Sequence, residues 1–182
     1  MHKKLVYLSL FGAISFILMF TLSFPILPSA SYLRFEPSEV PAILAAFLFG
    51  PKAGVAVILI KDILYLLLRA SDPFGPLADF IAASTFVYTT AWLCRADYST
   101  FRFILAGLGG VLARVMIMIP VNLVILQLEF GMPFSQIIGI MLSALVPFNL
   151  LKGIINAAIS FWLIKLIFSK IVPSHKYFGL DK

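Results

Sequence analysis

The sequence predicts an all-α integral membrane protein, a bundle of six transmembrane helices with an ordered first outer loop. Three observations carry that reading. Of 182 residues, 62% are hydrophobic and 12% charged, with a mean hydropathy of +1.05. A water-soluble domain has to wet its own exterior and cannot hide that much apolar surface. Long apolar runs recur along the chain, and about 20 such residues make one crossing. The basic residues of a chain with net charge +6 gather at the ends of those runs, as a topology signal does and a nucleic-acid patch does not. The length suits a single membrane domain over 1–182. The single Cys94 excludes an internal disulfide.

The first run, 5–24, carries no charge and follows Lys3 and Lys4. A signal peptide would lead into a polar mature domain; here another membrane segment follows, so the run reads as helix 1. Pro25 to Pro37 is too broken by Pro and Ser to be helical, yet its Phe, Tyr and Leu content predicts an ordered cap. Helix 2 covers 38–50, with Glu36-Pro37-Ser38-Glu39 supplying acidic and capping side chains for its start. From Val40 to Gly50 it measures only about 17 Å, short for a crossing. Gly50-Pro51 breaks the chain, and helix 3 follows over 52–69. Helix 4 covers 75–93, Arg95 to Arg102 is a polar connection, and helix 5 covers 103–128. Met132 to Val146 reads as a short interfacial helix ending at Pro147, before helix 6 over 148–171.

Charge supports that count. With both termini in the cytoplasm, the inner side of the plasma membrane holds Lys3, Lys4, Lys52, Arg95, Arg102, Lys165, Lys170, Lys176 and Lys182. The outer side holds Arg34 and Arg69. Nine against two satisfies the positive-inside rule, and removing helix 2 would put the later loops on the wrong sides.

Ionisable residues inside a bilayer are functional candidates by default. Depth sorts them into two groups. Lys61, Asp62 and Arg114 sit near the middle of their helices, where Asp62 and Arg114 could form a structural ion pair. The second group converges at the outer side: Asn122 on helix 5 and Asn149, Lys152 and Asn156 on one face of helix 6. Asp79 and Ser38 lie at a similar level. Helix-packing contacts can explain any one of the amides, but not a lysine and two amides at matched depth beneath an ordered apolar loop. The pattern predicts an outward pocket for a small, flat, polar molecule, capped by that loop. Carboxamides donate and accept while an ammonium only donates, so the set can read an imide edge.

Other chemistry lacks its motifs. The sequence has no phosphate-binding G-x-x-x-x-G-K-[ST] loop, no G-x-S-x-G turn and no H-E-x-x-H zinc pair. Its histidines, His2 and His175, are both terminal. No catalytic residue, metal or cofactor is therefore expected, and if the chain is a transporter its energy would come from ion coupling or from partners.

Several segments carry a resemblance: Leu8-Ser9-Leu10-Phe11-Gly12-Ala13, Glu36-Pro37-Ser38-Glu39-Val40-Pro41-Ala42, Phe49-Gly50-Pro51 with Gly54, and Leu59-Ile60-Lys61. Pro76 to Ala82 leading into Ala83-Ser84-Thr85-Phe86, Arg114-Val115-Met116 through Pro120-Val121-Asn122, and Pro147-Phe148-Asn149-Leu150-Leu151-Lys152-Gly153 complete it. In this order, over nearly the whole chain, they resemble the substrate-binding membrane subunits (S components) of energy-coupling factor (ECF) vitamin transporters, and among them the riboflavin-binding ones. The resemblance implies ring recognition by Asn122, Asn149 and Lys152 and closure of the first outer loop over riboflavin. It also implies docking of a transmembrane coupling subunit on a small-residue face at Ser9 and Ala13, where family members often carry two alanines. Two partner ATPases would hydrolyse ATP, and the bundle would topple to deliver its ligand. Contact of Asp79 with the ribityl chain and acceptance of FMN are further expectations. The rivals are an S component for another vitamin, such as thiamine, folate or pantothenate, and a standalone ion-coupled carrier using Lys61, Asp62 and Arg114.

Overall fold

The computed structural model describes residues 2–95 and 99–171. Lys176 and Lys182 of the charge argument lie outside the described residues, as do the side chain of Lys170 and the middle of the Arg95–Arg102 connection.

The chain runs α1 (His2–Thr21), β1 (Phe24–Pro25), β2 (Arg34–Phe35), α2 (Glu39–Phe49), α3 (Pro51–Leu68), α4 (Phe74–Leu93), α5 (Thr100–Phe130), α6 (Phe134–Ile140), a π-helical stretch (Met141–Leu145) and α7 (Val146–Ile171). The expected helices are present, with ends shifted by a few residues. α1, α5 and the continuous stretch Phe134–Ile167 are long and apolar enough to cross a membrane. Their outward faces are large and apolar, including Leu5, Leu10, Ile17, Leu112, Met116 and Trp162. Such surface suits lipid and not water.

α2 explains its own brevity. It has 11 residues, about 17 Å of helix, and most of them are buried. α1, α3, α4 and α7 all pack against it, so it is mainly a core helix, with Leu48 its one exposed side chain. Its alanines Ala42, Ala45 and Ala46 let neighbours come close, and Gly54 of α3 makes that contact tightest. A Cβ there would stand 2.7 Å from the Ala46 Cβ and 2.8 Å from the Ala42 carbonyl. The turn into α3 depends on Gly50, whose φ of 95° is the left-handed region that other residues resist. Pro51 follows at the first helical position, where its missing N–H costs nothing.

The segment between α1 and α2 is an ordered hairpin. β1 and β2 pair antiparallel, Phe24 opposite Phe35, with ring centroids 5.4 Å apart. The Arg34 guanidinium donates to Ser23, from Nε to Oγ at 2.8 Å and from Nη2 to the carbonyl. Leu33 packs with Ile137, Met141 and Leu145, tying the hairpin to the start of the last helix.

One boundary differs from expectation. The last helix does not begin after Pro147: helical geometry runs unbroken from Phe134 through α7. The Val146 N–H reaches back to the Met141 carbonyl, a π-type bond that widens the turn. Proline normally ends a helix because its ring crowds the carbonyl four residues back. The π turn places its extra residue where that crowding would occur, so the helix bends through instead of stopping.

Candidate functional site

Beside the N-terminus of α2 the bundle holds a cavity of about 300 Å³, within the range of small-molecule sites. The hairpin contributes Tyr32, Arg34 and Glu36 to its wall, α3 contributes Tyr65, and α4 contributes Asp79. α5 adds Arg114, Met118 and Asn122, and α7 adds Phe148, Asn149 and Lys152. Four of the expected residues, Asn122, Asn149, Lys152 and Asp79, therefore line one cavity. Ser38 does not line it. Fully buried at the N-cap of α2, Ser38 makes no cap bond and donates its Oγ hydrogen to Glu36 Oε1 at 3.3 Å. Its backbone is already helical there, so the hydroxyl is not directed at the free amides of the first turn.

Apart from Asn122, the two polar groups that depth had separated are one network. Lys152 Nζ lies 2.5 Å from Glu36 and 2.8 Å from Asp79. Asp79 also binds Lys61, which in turn lies 2.8 Å from Asp62. Arg114 does not pair with Asp62: its Nη1 binds Glu39 at 2.6 Å, and its Nε donates to Asn149 Oδ1 at 2.9 Å. Long side chains explain the merger, because an arginine or lysine head sits several ångströms from its own Cα level. Burying charges is costly unless each is paired. Here three cations, Lys61, Arg114 and Lys152, meet four carboxylates, Glu36, Glu39, Asp62 and Asp79.

Donor and acceptor capacity remains on the wall. Asn149 Nδ2 donates to the Leu145 carbonyl at 2.9 Å, which leaves its second N–H and an oxygen lone pair. Among the described residues Asn122 has no hydrogen-bond partner, although it is only 8% exposed. A buried amide left unpaired is disfavoured, so it stands ready for a ligand. The Lys152 ammonium has three hydrogens and makes two hydrogen bonds, to Glu36 and Asp79, with Glu39 farther off at 3.6 Å. Burial pushes the Glu36 carboxyl above its ordinary range, with the Lys152 ammonium pulling the other way. Glu36, Glu39 and Asp79 bring one oxygen each within 4.8 Å of one another, a spacing a metal could use. The Lys152 ammonium already supplies the positive charge at that point.

Glu36 and Glu39 were the residues that sequence reasoning placed only as helix-start acids. Their signal was present: two carboxylates at the mouth of an otherwise apolar helix need buried partners. Ser9 and Ala13 lie elsewhere, on α1, with Ser9 exposed and Ala13 half-buried.

A helical membrane bundle that holds a polar, ligand-sized cavity is the architecture of a membrane binding protein. The family model for the substrate-specific component of ECF transporters matches residues 3–164, and the chain belongs to that family. It is 34% identical over 160 residues to the riboflavin transporter RibU of Staphylococcus aureus (strain TCH60), covering 85% of this chain and 84% of that protein. It is 33% identical over 181 residues to the riboflavin transporter FmnP of Bacillus subtilis (strain 168), covering 94% and 93%. A solved structure of the S component of a bacterial ECF transporter superposes with a TM-score of 0.82 at 30% identity, over 94% of this chain and 99% of that one.

Proposed function

We propose that this chain captures riboflavin from the outer side of the plasma membrane, as the substrate-binding subunit of an ATP-driven ECF transporter. The observation that carries the reading is the convergence of Asn122, Asn149 and Lys152 on one cavity wall with unspent hydrogen-bonding capacity. Two carboxamides and an ammonium match the alternating carbonyl, N–H and carbonyl of an isoalloxazine ring's imide edge. Tyr32, Tyr65, Met118 and Phe148 line the same cavity and suit a flat aromatic ring. The names of its relatives point to the same ligand. The absorbance spectrum of the purified protein tests this directly: co-purified flavin gives a yellow preparation with visible absorption bands. A folded preparation that stays colourless after incubation with riboflavin, and takes up another vitamin, would assign it to a different substrate.

FMN is a second ligand on this reading, because Arg34 at the cavity rim is exposed and could meet a phosphate at the ribityl end. The hairpin, held by Ser23, Phe24 and Leu33, would close over the bound ring, and Asp79 would turn from Lys152 to the ribityl hydroxyls.

In this account the whole chain is one membrane domain and all six helical units cross the bilayer or are wrapped by those that do. α3 and α4, at 18 and 20 residues, reach about 27–30 Å, and their Lys61, Asp62 and Asp79 turn inward to the network. With both termini cytoplasmic, a cysteine placed at Ser71 is labelled from outside and one at Arg95 is not; the reverse pattern would overturn the topology.

A transmembrane coupling subunit and two ATPases complete the transporter, and ATP is hydrolysed there. Ser9 and Ala13 form the small face of α1 on which the coupling subunit docks, since close helix approach needs small side chains. Ala13→Trp blocks co-purification with that subunit while riboflavin binding stays within about twofold of wild type. Loss of both together would make Ala13 a folding residue.

A further inference from the structure

A second cavity, of about 230 Å³, lies between α5 and α7 at the end opposite the hairpin. Its floor is Phe103, Gly107 and Val111, all buried, and its rims include exposed Ile104 on α5 and Ala158 on α7. The cavity is therefore a groove open to the outside of the bundle. Every side chain along it is apolar. From Phe103 to Val111 the α5 axis rises about 12 Å, close to the roughly 15 Å that one leaflet contributes to a 30 Å hydrocarbon core. The groove thus ends at about the depth of one leaflet.

Charge marks its mouth. Arg102 precedes Phe103 on α5, and Lys165 stands one turn beyond Phe161, with its Nζ 6.0 Å from that ring's centroid. Both are exposed. Arg102 spends its Nε on the Leu93 carbonyl at 3.1 Å, and among the described residues neither cation has a carboxylate partner. An apolar slot one leaflet deep, with cations at its aqueous end, has the polarity profile of a phospholipid.

We infer that this groove holds an acyl chain of an anionic phospholipid, whose phosphate is drawn to Arg102 and Lys165. The site is separate from the ligand cavity and rests on the chain's place in a membrane family, not on the choice of riboflavin.

Native mass spectrometry of protein drawn from nanodiscs with equal phosphatidylglycerol and phosphatidylcholine tests it. Phosphatidylglycerol is retained in preference to phosphatidylcholine. Arg102→Gln and Lys165→Gln each lower the retained phosphatidylglycerol about fivefold. Ala158→Trp fills the groove and removes both lipids, with the thermal midpoint confirming a folded bundle. Equal retention of the two lipids by wild type overturns the inference, and so does wild-type retention in the glutamine variants. If Ala158→Trp keeps its lipid but loses assembly with the coupling subunit, the groove belongs to a protein partner and the inference fails.

Discussion

The hairpin end of the bundle and the opposite end treat buried polarity in opposite ways. Around the cavity, Glu36, Glu39, Lys61, Asp62, Arg114 and Lys152 are withdrawn from water and, with the part-buried Asp79, are linked by ion pairs. Towards the other end the buried polar side chains include isolated hydroxyls such as Thr90 and Ser160, which make no hydrogen bond among the described residues. The packing there rests on Phe47, Phe103 and Phe161, with centroids 5.3 and 5.0 Å apart. A well-packed apolar core is often at least as stable as a buried ion network. The charges at the hairpin end are therefore not what stability alone would select. They fix the orientation of groups on the cavity wall: Arg114 holds the Asn149 oxygen and so decides which way that amide faces.

The largest effect that would sharpen the contrast comes from Arg114. Arg114→Met leaves Glu39 charged and buried without its main partner, and removing one member of such a pair costs about 3–5 kcal/mol. A large drop in the thermal midpoint in detergent is expected, and Arg114→Met with Glu39→Gln should recover most of it. If the double variant is no better than the single, the network is not held by charge pairing.

Lys152→Met comes next. A hydrogen bond to a charged group contributes about 1.5–3 kcal/mol, so riboflavin affinity should fall about tenfold to more than a hundredfold in flavin-fluorescence titrations. Asn122→Leu removes a neutral amide that has no internal partner to strand, and the expected loss is about threefold to tenfold. Asn122→Leu should keep near-native melting, whereas Lys152→Met strands Glu36 and Asp79 and should lower the thermal midpoint, so its affinity is read at a temperature where the variant is folded.

The smallest effect belongs to the other end. Thr90→Val removes a buried hydroxyl that has no partner among the described residues, and its stability should shift by less than about 0.5 kcal/mol with riboflavin binding unchanged. A severe loss from Thr90→Val would erase the distinction between the two ends.

Much of this was legible in the sequence. Apolar runs and the Gly50-Pro51 break located the helices, because length and hydropathy are local properties. Asn122, Asn149 and Lys152 stood out by face and depth. The passage of the last helix through Pro147 was hidden, since a π turn has no sequence mark comparable to proline itself. The pairing of Arg114 with Glu39 in place of Asp62 was hidden too. Depth ranks Cα positions, whereas ion pairs form at the ends of long side chains that reach a turn or more away. Ser38 misled for the opposite reason: its position before a helix suggested a cap, but the buried Glu36 carboxylate claimed its hydroxyl.

The most direct test is a paired titration of wild type and Lys152→Met with riboflavin and with lumichrome, which keeps the imide edge of the ring and lacks the ribityl chain. Wild type should bind both saturably at one site, and Lys152→Met should weaken both by a similar factor, because the contact it removes is to the ring. Undiminished affinity of a folded Lys152→Met protein for both ligands would contradict the account.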